Sequence, residues 1–403
     1  MNICIIGPKG FPVPAVKGGA VETLITNFIE ENEKRQKIFI DVITIYDKSA
    51  VDLKKSYQYT NFIDVKLQEK MLVKFLKIFK MKNKLLDKCI TKYKNIIYNN
   101  KIIRTIRKNK YDFIITEGGD VYSYAPIYKY IPKEKSILHV HGVSKGSDYL
   151  EKNYKYFLGI SYFVNKQLTE SKLIAPNRAK LLYNCININD FQIKLSDNEK
   201  KVQREKFKIK PNEKVILFCG RTVKEKGVRE LLLAYQMIKN KENTKLLIVG
   251  NSNFADEMAL SDYEKELRDI ANKLKDRVVF TGHVYNRELY KIYNIADIAV
   301  FPHLCEEGFG LTLVEAMASG VPIITTNSGA IPELVSDKCS IMLQKEDLND
   351  LIENIASSIE MLLDNDELRK TMGIAGIKIA EKFSSKNYYD NFIKILEELK
   401  NEK

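Results

Sequence analysis

The stretch IAVFPHLCEEGFGLTLVEAMASGVPIIT, residues 298–325, decides how the rest of the chain is read. Residues 298–301 and 322–325 are short apolar runs, the pattern of strands buried on both faces of a parallel sheet. Residues 311–319 between them read as a helix, the usual crossover between parallel strands. Gly308 and Gly310 stand just ahead of it, where glycine lets the backbone come close to a ligand. The free N–H groups of a helix start attract anions. Two carboxylates, Glu307 and Glu315, bracket this turn. On a continuous helix they would lie about 12 Å apart, too far to act on one bond and suited to the two ends of an extended ligand. Glycines before a helix and a glutamate in its first turn are also ordinary capping features, so the run alone leaves both readings open.

Strands alternate with helical patterns on either side of this stretch, the mark of parallel α/β sheets. In the first half, residues 2–6 and 39–45 read as buried strands, with a helix over 20–34 between them. Residues 111–116, 136–141 and 156–160 continue that sheet. Residues 187–213 are polar and charge-rich and are taken as the linker. A second sheet then has strands at 214–219, 245–249, 277–281, 298–301 and 322–325, with helices over 227–239, 261–274, 287–296 and 311–319. Helices over 348–363 and 367–382 follow. Ser261-Asp-Tyr-Glu264 has the spacing of a capping box.

A chain of 403 residues with 45% hydrophobic content has material for two domains. It opens on a short apolar strand without a basic leader, and no run is long enough to span a bilayer, so a cytoplasmic protein is expected. Six scattered cysteines suggest neither a disulfide framework nor a zinc site. The net charge of +13 is concentrated: residues 66–110 hold fifteen Lys or Arg against Glu69 and Asp87. In the same region Leu72, Leu76, Phe79, Leu86, Ile90, Tyr93 and Ile97 follow steps of three and four. Lys70, Lys74, Lys77, Lys80, Lys84, Lys88 and Lys92 fall on the roughly opposite side. Such a helix suits the headgroup layer of an anionic membrane, though a surface helix packing its stripe on the core has the same pattern. No base-reading motif accompanies the charge, and nucleic acid is not expected as a partner.

Several motifs together carry a resemblance. Glu315 is followed by Ala316-Met-Ala-Ser-Gly320-Val-Pro322, then by Ile323-Ile-Thr-Thr-Asn-Ser-Gly-Ala-Ile-Pro-Glu333. Upstream stand Gly220-Arg221-Thr-Val-Lys-Glu-Lys226-Gly227 and Gly18-Gly19-Ala20. Over most of its length the chain resembles a retaining, metal-independent glycosyltransferase of the GT-B superfamily, family 4. The resemblance implies two Rossmann-like parallel-sheet domains facing across a cleft. The expected divisions are 1–190 for acceptor binding, 191–385 for the nucleotide sugar, and a helix over 386–403 returning to the first domain. It also implies transfer of a sugar from a nucleoside diphosphate, most often uridine, to a glycan, lipid-linked glycan or surface polysaccharide acceptor. Arg221, Lys226 and Gly19 would face the donor diphosphate, with Gly308, Phe309, Gly310 and Leu311 beside it and Glu315 on the ribose. Glu307 would hold hydroxyls of the transferred sugar, and His141, at a strand end, would contact the same sugar. Front-face substitution is the mechanism the family suggests.

No cofactor is expected. Neither a Walker A pattern nor Gly-x-Gly-x-x-Gly occurs. Asp364 and Asp366 form an Asp-x-Asp, but between two helical stretches one of them is read as an N-cap and not as a metal ligand. With arginine, lysine and helix N–H groups on the leaving diphosphate, no cation is required. The competing readings are an epimerase or phosphorylase on the same fold, or a basic membrane-surface or nucleic-acid binding protein. The enzyme would be cytoplasmic, or peripheral at the inner membrane face if residues 66–110 engage lipid. The family's Asn-Gly-Val-Asp stretch reads Asn184-Cys-Ile-Asn here, which alters a glycine turn in the first domain.

Overall fold

A computed structural model describes residues 1–67, 84–239, 241–251 and 261–402. The chain forms two units: residues 1–183 with 388–403, and residues 184–387. In the first, seven strands lie in the order β3 (Thr60–Val65), β2 (Phe39–Ile45), β1 (Asn2–Ile6), β4 (Phe113–Glu117), β5 (Ser136–Val140), β6 (Tyr156–Gly159) and β7 (Ala179–Leu181). Every pairing is parallel. β4 and β5 are buried at all positions, which is why they are written without polar alternation.

In the second unit six strands lie in the order β10 (Val278–Gly282), β9 (Thr244–Val249), β8 (Lys214–Cys219), β11 (Ile298–Phe301), β12 (Ile323–Thr326) and β13 (Ser340–Leu343). These pairings are parallel too. The order reverses between β1 and β4 in one sheet and between β8 and β11 in the other. At such a switch point neighbouring crossovers lie on opposite faces and leave a crevice at the strand carboxyl ends. β3, β7 and β13, absent from the sequence reading, are edge strands with half-buried positions and weak apolar patterns.

Residues 187–213 are not an extended linker. Helices Ile188–Gln192 and Asp197–Lys206 occupy much of the segment, the second started by a capping box in which Ser196 and Glu199 exchange hydrogen bonds. Phe191 packs edge-on against Tyr293 at 5.8 Å, tying the segment to the second unit. The box at Ser261 and Glu264 forms as its spacing suggests. The Asp-x-Asp assignment is corrected in detail. Asn365 caps Asp366–Ala380, while Asp364 ends the preceding helix and Asp366 pairs with the buried Arg369. Arg369 also donates to the Leu362 and Leu363 carbonyls, so this corner is a helix junction.

The final helix, Ser385–Asn401, buries Tyr388, Tyr389, Phe392, Ile393 and Leu396. Phe28 of helix Ala20–Arg35 lies 4.6 Å from the Phe392 ring, and Tyr389 donates to Asn32 Oδ1 at 2.8 Å. Helix Lys84–Lys108 buries Ile90, Tyr98, Asn99, Ile102 and Thr105, and Tyr98 donates to the carbonyls of Gly7 and Ile43 at 2.9 Å. Ile90 of the apolar stripe is therefore core, and Tyr93 and Ile97 are half-buried. The stripe and lysine positions from 70 to 80 lie outside the described residues. No helix among the described residues is long and apolar enough to cross a membrane.

Helix Leu311–Ala318 packs on helix Asp366–Ala380 through glycine. A Cβ on Gly373 would stand 2.3 Å from the Gly320 carbonyl oxygen, and one on Gly376 would stand 3.3 Å from Met317 Cα. Gly373→Ala should therefore destabilise the second unit by about 1–3 kcal/mol, the usual range for overpacking a tight contact. Urea denaturation would show the lowered midpoint, and an unchanged midpoint would mean that the two helices separate freely.

Candidate active site

The acidic loop of the second unit is built on the ends of β11 and β12. Thr326 Oγ1 donates to the His303 carbonyl at 2.7 Å, and Ala330 N donates to the Glu307 carbonyl at 2.9 Å. Gly329, at φ 55°, passes so close that a Cβ there would lie 2.3 Å from Glu307 O. The turn after β8 comes to the same place. Gly227, at φ 67°, lies against Pro302, and Leu304 N donates to the Glu225 carbonyl at 2.9 Å.

These contacts put Lys226 Nζ directly on Glu307 Oε2. His303 Nε2 lies 3.3 Å from the same oxygen, and Phe309 N donates to Glu307 Oε1 at 3.4 Å. Burial would raise the Glu307 carboxyl, but the His303 contact and the Lys226 charge outweigh it and hold the group well below the usual carboxylate range. Glu307 is ionised at neutral pH. Burial pulls His303 down, so that ring stays largely neutral.

Gly310, at φ 99°, caps helix Leu311–Ala318, and its left-handed backbone turns the chain into the helix. Glu315 sits in the second turn and not the first, so capping does not account for it. The carboxylate is buried. Tyr293 donates to Oε2 at 3.0 Å, while Oε1 has no hydrogen bond among the described residues and is not one of the fully enclosed atoms. Burial raises this carboxyl to about 7 against the smaller effect of Tyr293. Arg221 follows Gly220 at the carboxyl end of β8 and is exposed, with no ion pair among the described residues.

In the first unit Gly19, at φ 94°, precedes helix Ala20–Arg35, and a Cβ there would collide with the Glu22 carboxylate. His141 follows β5, one residue beyond the end of the strand. Its Nε2 lies 2.7 Å from Glu117 Oε2, which also takes His139 Nδ1 at 2.9 Å. Burial and the neighbouring His139 bring His141 down to about 4. The two rings hold Glu117 ionised despite its burial. Their three ligand-type atoms lie within 4.8 Å of one another.

The family described as glycosyl transferases group 1 matches residues 199–379. The capsular polysaccharide biosynthesis glycosyltransferase CapM of Staphylococcus aureus is 32% identical over 251 residues, 59% of this chain and 62% of its own. An uncharacterised 41.2 kDa protein in the cps region of Klebsiella pneumoniae is 31% identical over 278 residues, 62% of this chain and 70% of its own. The chain belongs to the glycosyl transferases group 1 family. It spans less than two thirds of CapM's length. The solved structure of Anabaena HepE in complex with UDP-glucose superposes with a TM-score of 0.73 at 18% identity, covering 99% of this chain and 100% of that one. That likeness establishes the two-sheet GT-B architecture.

Within this family member, Arg221, Lys226, Glu307, Gly308, Gly310, Leu311 and Glu315 all fall in the second unit around the ends of β8 and β11. Gly19 and His141 fall in the first. Phe309 is only partly as expected: its ring is buried 5.6 Å from Phe383, so its backbone alone borders the loop surface. His303, Tyr293 and Glu117 were not singled out by sequence. His303 stands four residues before Glu307, and Glu117 ends a strand ahead of two glycines, signals too common to be read alone.

The Glu315 shift has a sign that can be tested. Between pH 4.5 and 7 the folded protein keeps a proton that the unfolded chain releases, so this group lowers stability as pH rises through that window. The loss is complete above pH 7 and on the order of 3 kcal/mol. Glu315→Gln should gain on wild type steadily from pH 5 to pH 8 in chemical denaturation. Parallel stability curves would mean that Glu315 titrates like an exposed carboxyl.

Proposed function

We propose that this protein is a retaining, metal-independent glycosyltransferase. It takes a sugar from a nucleoside diphosphate, with uridine the first choice, and passes it to a glycan, lipid-linked glycan or surface polysaccharide. The observation that carries the reading is in the second unit. An arginine without an ion pair, a lysine, a glycine-led helix start and a carboxylate with one oxygen not hydrogen-bonded, all judged among the described residues, lie around the switch point of a parallel sheet. Arg221 can fork onto phosphate oxygens, and Lys226 adds a compact charge. Helix N–H groups complete the binding of a leaving diphosphate. Glu315 Oε1 is free to accept from ribose hydroxyls. The names of CapM and of the HepE complex support a polysaccharide role and a UDP-sugar, each for its own protein.

Glu307 is already engaged with Lys226 and His303, which fits a group that orients sugar hydroxyls better than a nucleophile. In the proposed step the glycosyl C1–O bond to phosphate breaks as the acceptor oxygen bonds to the same face of C1. The acceptor proton passes to the departing phosphate oxygen, and the diphosphate leaves with the bonding pair. Positive charge on C1 is transient, and Arg221, Lys226 and the helix N–H groups stabilise the negative charge that gathers on the diphosphate.

Glu315→Ala and Arg221→Ala should each weaken donor binding by roughly 1–3 kcal/mol, the cost of losing a charge-assisted hydrogen bond. Calorimetry with uridine, guanosine and adenosine diphosphate sugars, in chelator, identifies the donor. Unchanged affinity in both variants would remove the site. Activity that disappears in chelator and returns with magnesium or manganese would overturn metal independence. Because hydroxyls bind the ionised carboxylate, donor binding near pH 7 should also release a proton.

Helix Lys84–Lys108 supports a membrane-held acceptor. Lys88, Lys92, Lys101, Arg104, Arg107 and Lys108 are exposed on it, and near anionic lipid each cation adds about 1 kcal/mol. Sedimentation with phosphatidylserine vesicles should show binding at low salt that falls at high salt. Changing Lys88, Lys92, Lys101 and Arg104 to Glu should abolish it. Equally weak binding by both proteins would favour a soluble acceptor.

A further inference from the structure

Glu117 ends β4 and stands opposite His139 in the register of β4 against β5. Its Oε2 alone meets both His139 Nδ1, at 2.9 Å, and His141 Nε2, at 2.7 Å. An ionised carboxylate only accepts, so both of those ring nitrogens must carry hydrogen. His139 Nε2 is fully buried without a partner. His141 has a bare Nδ1, which makes no hydrogen bond among the described residues. Of the three side chains His141 is the most open, at 12% exposure against 0% for His139 and 2% for Glu117.

His139 is costly where it stands. An unsatisfied buried polar atom destabilises, and the rings of Tyr388 and Phe392, 6.5 and 6.3 Å away, make surroundings that would suit an apolar side chain. Its value lies in what it does to Glu117. A buried carboxyl with one weak partner escapes desolvation by taking a proton. It would then donate to His141 Nε2 and drive the ring hydrogen onto Nδ1. A second N–H from His139 closes that route by keeping Glu117 an acceptor.

We propose that His139 and Glu117 are positioning residues that hold His141 as the Nε2–H tautomer, so that its bare Nδ1 accepts from a ligand hydroxyl and disfavours a phosphate oxygen. The ligand assignment rests on the glycosyltransferase reading, in which the hydroxyl belongs to the donor sugar. The tautomer does not depend on that reading. Zinc held by the same three groups would be a different use of them.

The test is long-range proton–nitrogen NMR of the imidazoles in the full chain at pH 7, practical because there are only four histidines. Wild type should show His141 neutral with hydrogen on Nε2 and His139 with hydrogen on Nδ1. His139→Phe should move the His141 hydrogen largely to Nδ1, and Glu117→Gln should switch the tautomer of one ring. Each variant should weaken binding of the nucleotide sugar about ten-fold and leave the bare nucleoside diphosphate unchanged. Hydrogen on His141 Nδ1 in wild type, an unaltered His141 in both variants, or stoichiometric zinc in the purified protein would overturn the proposal. If His139→Phe does not fold, wild type and Glu117→Gln still decide it. The expected tautomers with no response of His141 Nδ1 to uridine, guanosine or adenosine diphosphate sugars would keep the trio and overturn the donor contact.

Discussion

A carboxylate taken out of water must be compensated, and the strand carboxyl end of the second sheet is organised around that requirement at Glu307. Lysine from the turn after β8 converges on it with a histidine and a backbone N–H from its own loop. The histidine, four residues before Glu307, and the N–H, two residues after it, are near in sequence, whereas Lys226 lies 81 positions away. The arrangement needs the turn after β8 pressed against Pro302, which glycine at 227 permits, and the loop after β12 pressed against Glu307, which glycine at 329 permits. Removing Lys226 alone would leave a half-buried charge short of a partner, a larger penalty than the pair's own net worth.

The two cations at the end of β8 have different starting states. Lys226 is already spent on Glu307, whereas Arg221 faces water. A diphosphate bound as proposed would find one free fork and one charge that must be shared with a carboxylate. Glu315 contrasts with Glu307 again: its hydroxyl partner Tyr293 stabilises the anion too weakly to cancel burial. Two glutamates eight residues apart thus acquire opposite pKa shifts, and the difference lies in whether a cation reaches them. The first unit repeats the theme with Glu117, whose compensation comes from two imidazoles.

Much of the fold was legible in the chain. Buried parallel strands are continuous apolar runs, so β1, β2, β8 and β11 could be placed to the residue. Weakly patterned edge strands β3, β7 and β13 could not, because half-exposed positions accept polar residues. The supposed linker failed for a related reason. Charge-rich composition describes a solvated helix face as well as it describes a tether, and the capping box at Ser196 was the overlooked discriminator. The lysine stripe divides similarly, since its described portion buries Ile90 and half-buries Tyr93 and Ile97.

The sequence by itself determined the two parallel sheets, the glycine-led helix after Glu307 and the residue types gathered near it, because backbone preference and hydrophobic period act over a few neighbours. Only the tertiary structure decided which charges meet. It paired Lys226 with Glu307 across 81 positions, brought Tyr293 to Glu315 and set Glu117 between two histidines. Those pairings depend on strand order, and strand order places residues far apart in the chain at the same edge of a sheet. Desolvation and charge compensation, which set the protonation states of the site, exist only once that edge has been assembled.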